Sequence, residues 1–310
     1  IIVPVLNEIN YIDDLAASLN MKDGVKKEIF FTDGGSTDGT RMRIRELQKQ
    51  YPNIHLTENP DKYVSHGFNK SFKNAQGKYL ALVGAHAIYP EDYFKIAFDY
   101  LERNECDAIG GALRQDGRTK TGKAIAFCMS SRFGVGNTSV RTVNEKKYVQ
   151  SVAFGVYNRK VFDQVGLFDE ALIRNQDDEF HYRLNQAGFR LLLVPEMQAT
   201  YFVRDSIRRL FDQYYQYGFY KPLVFKKVPS GIRPRHIIPM LFVLYILSLP
   251  LALLYPLWLL PLGLYLIMDI YFSFKGKSPI TEKLLRLVVF PTLHFAYGLG
   301  FIRGLFRFGI

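Results

Sequence analysis

At 310 residues the chain has room for one large domain or two modest ones, and 48% hydrophobic with 22% charged residues exclude a disordered or low-complexity protein. Two cysteines, Cys106 and Cys128, exclude a disulfide framework or a CxxC motif and fit a reducing compartment with buried apolar packing. The net charge of +11 would suit nucleic acid, but eight Lys/Arg against two Asp lie between Arg204 and Arg235, directly before an apolar tail, which favours a membrane surface and no nucleic-acid partner.

The chain opens on the apolar run IIVPVLNE, without an initiator Met or a basic leader region. It reads as the first core strand, with a short leader expected to precede it. Further strands are expected at 28–32, 54–58, 79–83, 108–113 and 191–194, with helical patterns at 9–20, 39–50 and 91–103 between them. Such alternation predicts an α/β fold with a Rossmann-like, mostly parallel sheet covered by helices. Ligands of such sheets bind beyond the carboxyl ends of the strands, so the residues after each strand are the first candidates.

After the second strand comes FFTDGGSTDGT, 30–40. A carboxylate, Asp33, at a strand's end is followed by Gly34-Gly35, which open the backbone to a ligand, and by the hydroxyls and acid of Ser36-Thr37-Asp38 at a helix start. The segment lacks GK[ST] and is not GxGxxG, so it is neither a P-loop nor a dinucleotide fingerprint. Its acceptors suit a base and ribose. The second cluster, Asn175-Gln176-Asp177-Asp178-Glu179, opens a helix whose Phe180, Leu184 and Ala187 share one face. Arg183 stands four residues after Glu179, at ion-pair spacing. Three acids at a helix N-terminus also favour the helix dipole, but three in succession exceed what capping requires. Neighbouring carboxylates raise each other's pKa, which suits a general base. His66 and His181 read as structural residues.

The tail changes solvent. Residues 204–220, RDSIRRLFDQYYQYGFY, form a basic amphipathic helix with an aromatic face, expected at a membrane interface. Residues 237–274 hold one charged side chain, Asp269, and read as two spans, 237–255 and 257–274, in a tight hairpin whose basic flanks stay cytoplasmic. A third apolar stretch, 284–306, carries Arg286, His294 and Arg303 and is expected to span or to lie at the interface, with spanning preferred. Pro250, Pro261 and Pro291 predict kinks. The expected organisation is therefore a catalytic domain over 1–203, an interfacial linker over 204–236 and a membrane region over 237–310. Its place is the inner membrane, with the catalytic domain cytoplasmic.

Taken in order, IIVPVLNE, DGGSTDGT, an acidic post-strand turn and xDDExxxRLxxAGxR resemble the family 2 glycosyltransferases of the GT-A fold over about residues 1–220. The likeness is to their membrane-anchored branch that builds bacterial exopolysaccharides, of the succinoglycan-glucosyltransferase type. The resemblance implies a nucleotide-binding set of Pro4, Asn7, Glu8, Asp33, Gly35, Ser36 and Asp38, with Asp33 on the base. It implies Asp177 as the general base, with Asp178, Glu179 and Arg183 completing the catalytic motif. A divalent cation, Mn or Mg, would be held after the fourth strand, where the family's DxD acids stand. Here that segment reads LVGAHAIYPEDY, with Gly84 in the place of the first acid and His86 left as a weak metal ligand. Three explanations stay open: weakened metal binding, compensation by Asp178 or Glu179, or a degraded copy. Gln176 also replaces the usual Glu, and the QYGFY segment replaces a basic-aromatic pair. Gln213, Gln216 and Tyr217 are the acceptor or diphosphate candidates.

The function expected is inverting transfer of a sugar from an NDP-sugar, a UDP-sugar by preference, to a hydroxyl of a lipid-linked glycan acceptor at the cytoplasmic membrane face. The rivals are a polyprenyl-phosphate sugar synthase and a silent scaffold of a polysaccharide-assembly complex. A homo-oligomer or such a complex is left open. Specificity is expected around 114–145, with 117–136 as a segment closing over substrate.

Overall fold

The computed structural model describes residues 1–136 and 145–309, and the chain divides into two compact units. Unit 1 comprises Ile1–Arg114 and the described part of Ser139–Tyr201. Its strands are β1 (Ile2–Val5), β2 (Ile29–Asp33), β3 (Ile54–Glu58), β4 (Tyr79–Ala81), β5 (Ala87–Ile88), β6 (Ala108–Asp116), β7 (Lys147–Tyr148), β8 (Ala153–Asn158) and β9 (Leu191–Phe202). β1, β2 and β3 pair in parallel, with Ile2 opposite Phe30 and Ile29 opposite Ile54. A parallel bridge from Ile2 to Leu82 links this sheet to the strand order β4-β8-β6-β9-β5. There β8 runs antiparallel to β4 and β6, and β9 antiparallel to β5 and β7. The result is a mixed α/β sheet: parallel where strand–helix alternation was legible, antiparallel in pairs that the apolar pattern alone did not reveal.

Side-chain alternation explains the two cores of unit 1. On β1 and β2, Val3, Val5, Ile29 and Phe31 enter one apolar cluster, with Ile12, Leu15 and Leu19 of helix α1 (Ile12–Leu19) and Ile44 and Leu47 of α2 (Thr40–Gln50). Ile2 and Phe30 point the other way, into a cluster rich in phenylalanine. In it Phe68 of α3 (Val64–Phe72) meets Phe168 at 4.6 Å between ring centroids, and Phe180 stacks on Phe162 at 5.0 Å. Burying each ring contributes about 2–3 kcal/mol. The other helices of the unit are α4 (Tyr93–Glu102), α7 (Arg159–Val165) and α8 (Gln176–Gln186).

Unit 2 comprises the described part of Gln115–Thr138 and Phe202–Ile310. It holds α5 (Lys120–Met129), α6 (Arg132–Val135), α9 (Ile207–Lys227), α10 (Pro234–Leu247), α11 (Leu260–Phe274) and α12 (Ile280–Phe308). A single cut near residue 203 therefore does not describe the contacts, because the segment from Gln115 clusters with the C-terminal helices. Residues 120–135, expected as part of a closing loop, are two helices started by the side chains of Thr119 and Ser131. Of the 114–145 stretch expected to set specificity, residues 137–144 lie outside the described residues.

The apolar tail also departs from expectation. The helix expected over 237–255 ends at Leu247, and a short 3₁₀ turn, Leu249–Leu253, containing Pro250, follows it. Fourteen helical residues reach about 21 Å, short of a hydrocarbon core of about 30 Å. Among the described residues two helical segments are long and apolar enough to cross a membrane, Pro256–Phe274 and Ile280–Phe308, with mean hydropathies of 1.6 and 1.5. Pro250 and Pro261 mark element starts, where proline's missing N–H is harmless, while Pro291 sits inside the continuous α12.

Candidate active site

The turns after β1 and β2 are laced together. Asn7, held at φ 58°, donates its backbone N–H to Ser36 Oγ at 2.9 Å and accepts from the Thr37 N–H on its side-chain oxygen at 2.8 Å. Glu8 N–H donates to Thr40 Oγ1 at 2.8 Å, and Ile9 N–H to Asp38 at 3.1 Å. Asp38 also accepts from the Thr40 hydroxyl and N–H, so it ties the two turns together. Burial pushes its carboxyl upward, but these hydrogen bonds outweigh it and hold it below the usual carboxylate range. Gly35 has φ 90° and open space around a notional Cβ, so backbone conformation explains that glycine. Gly34 answers to space, since a Cβ there would lie 3.2 Å from the Lys62 Cα.

Asp33 ends β2 with a fully buried side chain. It accepts from the Ser36 N–H at 3.1 Å and from Arg41 Nε at 2.6 Å. Burial raises its pKa, yet the bonds from Ser36 and Arg41 together prevail and keep it ionised. Arg41 is a residue that sequence reasoning missed. The available signal was an arginine in the first turn of α2, where the helix dipole disfavours a cation that lacks a carboxylate partner. Pro4 pairs opposite Thr32 in the adjoining strand.

After β4, the position of the absent acid is already filled. A Cβ on Gly84 would lie 2.6 Å from the Phe154 ring, and Phe154 itself is held at φ 49°. Gly84 N–H donates to the Tyr89 hydroxyl at 2.9 Å. His86 Nε2 lies 2.9 Å from Glu8 Oε1, and its ring meets Tyr11 edge-on at 4.7 Å. No three His, Cys, Asp or Glu side chains among the described residues form a group that could hold a metal ion. Hard cations favour several oxygen ligands, and this turn offers one imidazole already paired to one carboxylate. The donor set does not fit the cation that the resemblance implies.

The acidic run opens α8 behind Asn175, itself at φ 61°. Glu179 is buried and bound in a fork by Arg183, at 2.6 and 2.9 Å. Arg183 also donates to the carbonyls of Val165 and Leu167, so this pair clamps α8 onto the preceding turn. Both were expected in the catalytic motif; the bonds they make position α8. Asp177 and Asp178 are half-buried in the first turn. The charge of Asp178 falls on His181, and that of Asp177 on Tyr157. His181 is fully buried between Ser151 Oγ at 3.1 Å and the Tyr157 hydroxyl at 2.8 Å, and burial pushes its pKa down to about 4. It is a neutral structural residue. Gln213, Gln216 and Tyr217 belong to α9 in unit 2, where Gln213 donates to the Tyr217 hydroxyl at 3.0 Å.

A family model described as glycosyl transferase family 2 matches residues 1–166. The chain belongs to that family. This glycosyltransferase is 27% identical to the succinoglycan biosynthesis protein ExoA of Rhizobium meliloti (strain 1021), over 99% of this chain and 95% of the relative. It is 30% identical to a dolichyl N-acetyl-alpha-D-glucosaminyl phosphate 3-beta-D-2,3-diacetamido-2,3-dideoxy-beta-D-glucuronosyltransferase of Methanococcus voltae, over 73% of this chain and 74% of that one. In fold it is similar to the mannosyltransferase PcManGT of Pyrobaculum calidifontis, solved with GDP-Man and Mn2+, at a TM-score of 0.63 and 17% identity, covering 98% of this chain and 86% of that one. The likeness to PcManGT gives the GT-A fold, the nucleotide-sugar-binding architecture that the ordered motifs resemble.

Proposed function

We propose that this glycosyltransferase inverts the anomeric carbon of a nucleoside-diphosphate sugar, with UDP-sugars the first donors to try, and passes the sugar to a hydroxyl of a lipid-linked glycan at the cytoplasmic face of the inner membrane. The laced turns bearing Asn7, Ser36 and Asp38 and the ionised Asp33 would hold the nucleoside, with Pro4, Glu8 and Gly35 alongside. Asp177 would take the proton from the acceptor hydroxyl. The oxygen would then attack the anomeric carbon as the bond to phosphate breaks, its electron pair leaving with the nucleoside diphosphate. The observation that carries this assignment is the start of α8, where buried Glu179 is bound by Arg183 and half-buried Asp177 lies in the same first turn, at the position that the motif gives the base.

No step is routed through a cation, because the turn after β4 lacks the donor set for one. An acceptor carried by lipid is supported by the apolar helices of unit 2 and by relatives of glycan assembly. The test is Asp177→Asn, assayed against a panel of NDP-sugars with membrane lipid extract. Turnover should fall by about 10²–10⁴-fold with nucleotide binding unchanged, the range for a lost general base. Undiminished turnover would instead indicate an acceptor already ionised, such as a polyprenyl phosphate. No nucleotide binding in the unsubstituted protein would point to a silent scaffold.

A further inference from the structure

α12 is long and apolar enough to cross a bilayer, yet its neighbours within unit 2 argue that it does not. Its C-terminal half is locked to α9. A Cβ on Gly218, Gly300 or Gly304 would stand 2.0, 2.1 or 2.3 Å from a carbonyl oxygen of the opposing helix, at Tyr297, Tyr215 and Phe219 respectively. Arg303 donates to the Tyr215 hydroxyl at 2.9 Å, and Lys226 Nζ to the Phe308 carbonyl at 2.8 Å. Wherever 297–308 lies, α9 lies too, and α9 exposes Arg208, Arg209, Asp212, Lys226 and Lys227. Hydrocarbon does not accept five exposed charged side chains on one helix. The N-terminal half is covered as well. Phe290 and His294 pack on Phe133, and Arg286 lies over the Phe127 ring at 3.5 Å, on α6 and α5, which expose Arg132, Lys120 and Lys123.

The hairpin of α10 and α11 has the opposite character. It exposes Leu247, Leu253, Leu254 and Leu257, and its one charged side chain beyond Arg235, Asp269, is buried beside the Ser273 hydroxyl. The polar groups at its tip bond to one another: Tyr245 to the Trp258 carbonyl at 2.7 Å, Trp258 Nε1 to Ser248 at 3.0 Å, and Leu262 N–H to Tyr245 at 3.0 Å. Internal satisfaction is what a tip in hydrocarbon requires. Arg233 and Arg235 stand at one foot of the hairpin and Lys275 and Lys277 at the other, where anionic headgroups would meet them.

We propose that the chain is monotopic: residues 234–274 dip into an anionic bilayer and return to the same face, and α12 lies on that face as the platform of the hairpin. The inference deepens the membrane reading above and does not depend on the enzymatic one. Three cysteine probes, introduced one at a time into the full chain whose own Cys106 and Cys128 are buried, test it: Met42→Cys in unit 1, Leu254→Cys at the tip and Phe306→Cys near the end of α12, all exposed positions. A membrane-impermeant maleimide applied to right-side-out and inside-out vesicles should label M42C and F306C from the same side, and L254C from neither side until detergent is added. Labelling of F306C from the side opposite M42C would overturn the proposal, as would labelling of L254C from either side. Recovery of the protein in the soluble fraction with all three sites labelled would overturn it together with the membrane location, leaving the transferase assignment intact. Flotation on phosphatidylcholine vesicles with and without phosphatidylglycerol gives a second readout. The anionic vesicles should bind at least about tenfold more tightly, and the Lys275→Gln/Lys277→Gln variant should lose part of that gain. Equal binding to both vesicle types would remove the headgroup contact.

Discussion

In unit 1 the helix that bears the acidic run is held by charge: Arg183 forks onto buried Glu179 and reaches two carbonyls of the preceding turn. In unit 2 the longest helix is held by shape: glycines at 218, 300 and 304 bring two backbones into contact. Even the fully buried Arg286 bonds to the carbonyls of Ser273 and Lys275 and the Ser278 hydroxyl. The difference follows from the surroundings each unit has. A site handling charged nucleotides needs side chains oriented by directional bonds. A long helix pair needs no such direction, and α9 and α12 instead pack backbone on backbone at their glycines. The first arrangement should respond to pH and the second to volume.

The largest effect should come from Arg183→Ala, which leaves Glu179 buried without its cation and should destabilise unit 1 by about 4 kcal/mol. The sequence holds one tryptophan, Trp258 in unit 2, so its fluorescence reports that unit separately. In a denaturant titration, R183A should lower the midpoint for loss of nucleotide binding while the Trp258 transition stays in place. The converse is Gly304→Val, which thrusts a side chain against the Phe219 carbonyl and should cost about 3 kcal/mol. Here the Trp258 transition should move and nucleotide binding persist. If either substitution shifts both transitions equally, the units are one cooperative body and the contrast between them fails.

A smaller effect tests the pH side. Burial lowers the folded pKa of His181 to about 4, against about 6.5 unfolded. The unfolded chain therefore binds more protons between those values. Its contribution is complete well above pH 6.5 and declines as pH falls toward 4, by about 3 kcal/mol. Unit 1 stability measured across that window should show the loss, and a His181→Gln variant should flatten it relative to the parent. An unchanged slope would mean that His181 does not carry the effect.

What was legible in the sequence depended on range. Strands β1 to β3, the turn at Asp33 and the Glu179–Arg183 pair rest on contiguous patterns or on spacing within one helix, and each could be read directly. β8 was not, because SVAFGVYN carries a glycine and no clean alternation, and its strand character comes from pairing with β4 and β6. The end of α10 was missed because hydropathy is blind to where Ser248 and Pro250 stop a helix inside a uniformly apolar run. The partner of Gly84 is 70 residues away in sequence, and no local rule connects them.

That last pairing yields the smallest and most discriminating effect. Gly84 read alone is a lost acid; in the structure it is one half of a contact whose other half is the Phe154 ring. Reinstating any side chain at 84 therefore displaces an aromatic ring rather than filling a gap. Because the colliding atoms are the far end of a flexible side chain, Gly84→Ala should cost only about 1 kcal/mol. In a Phe154→Ala background the same substitution should cost nothing measurable, so a double-mutant cycle read by chemical denaturation should give a coupling of about 1 kcal/mol. Additive costs would show that the ring yields freely and that glycine at 84 has a reason other than Phe154.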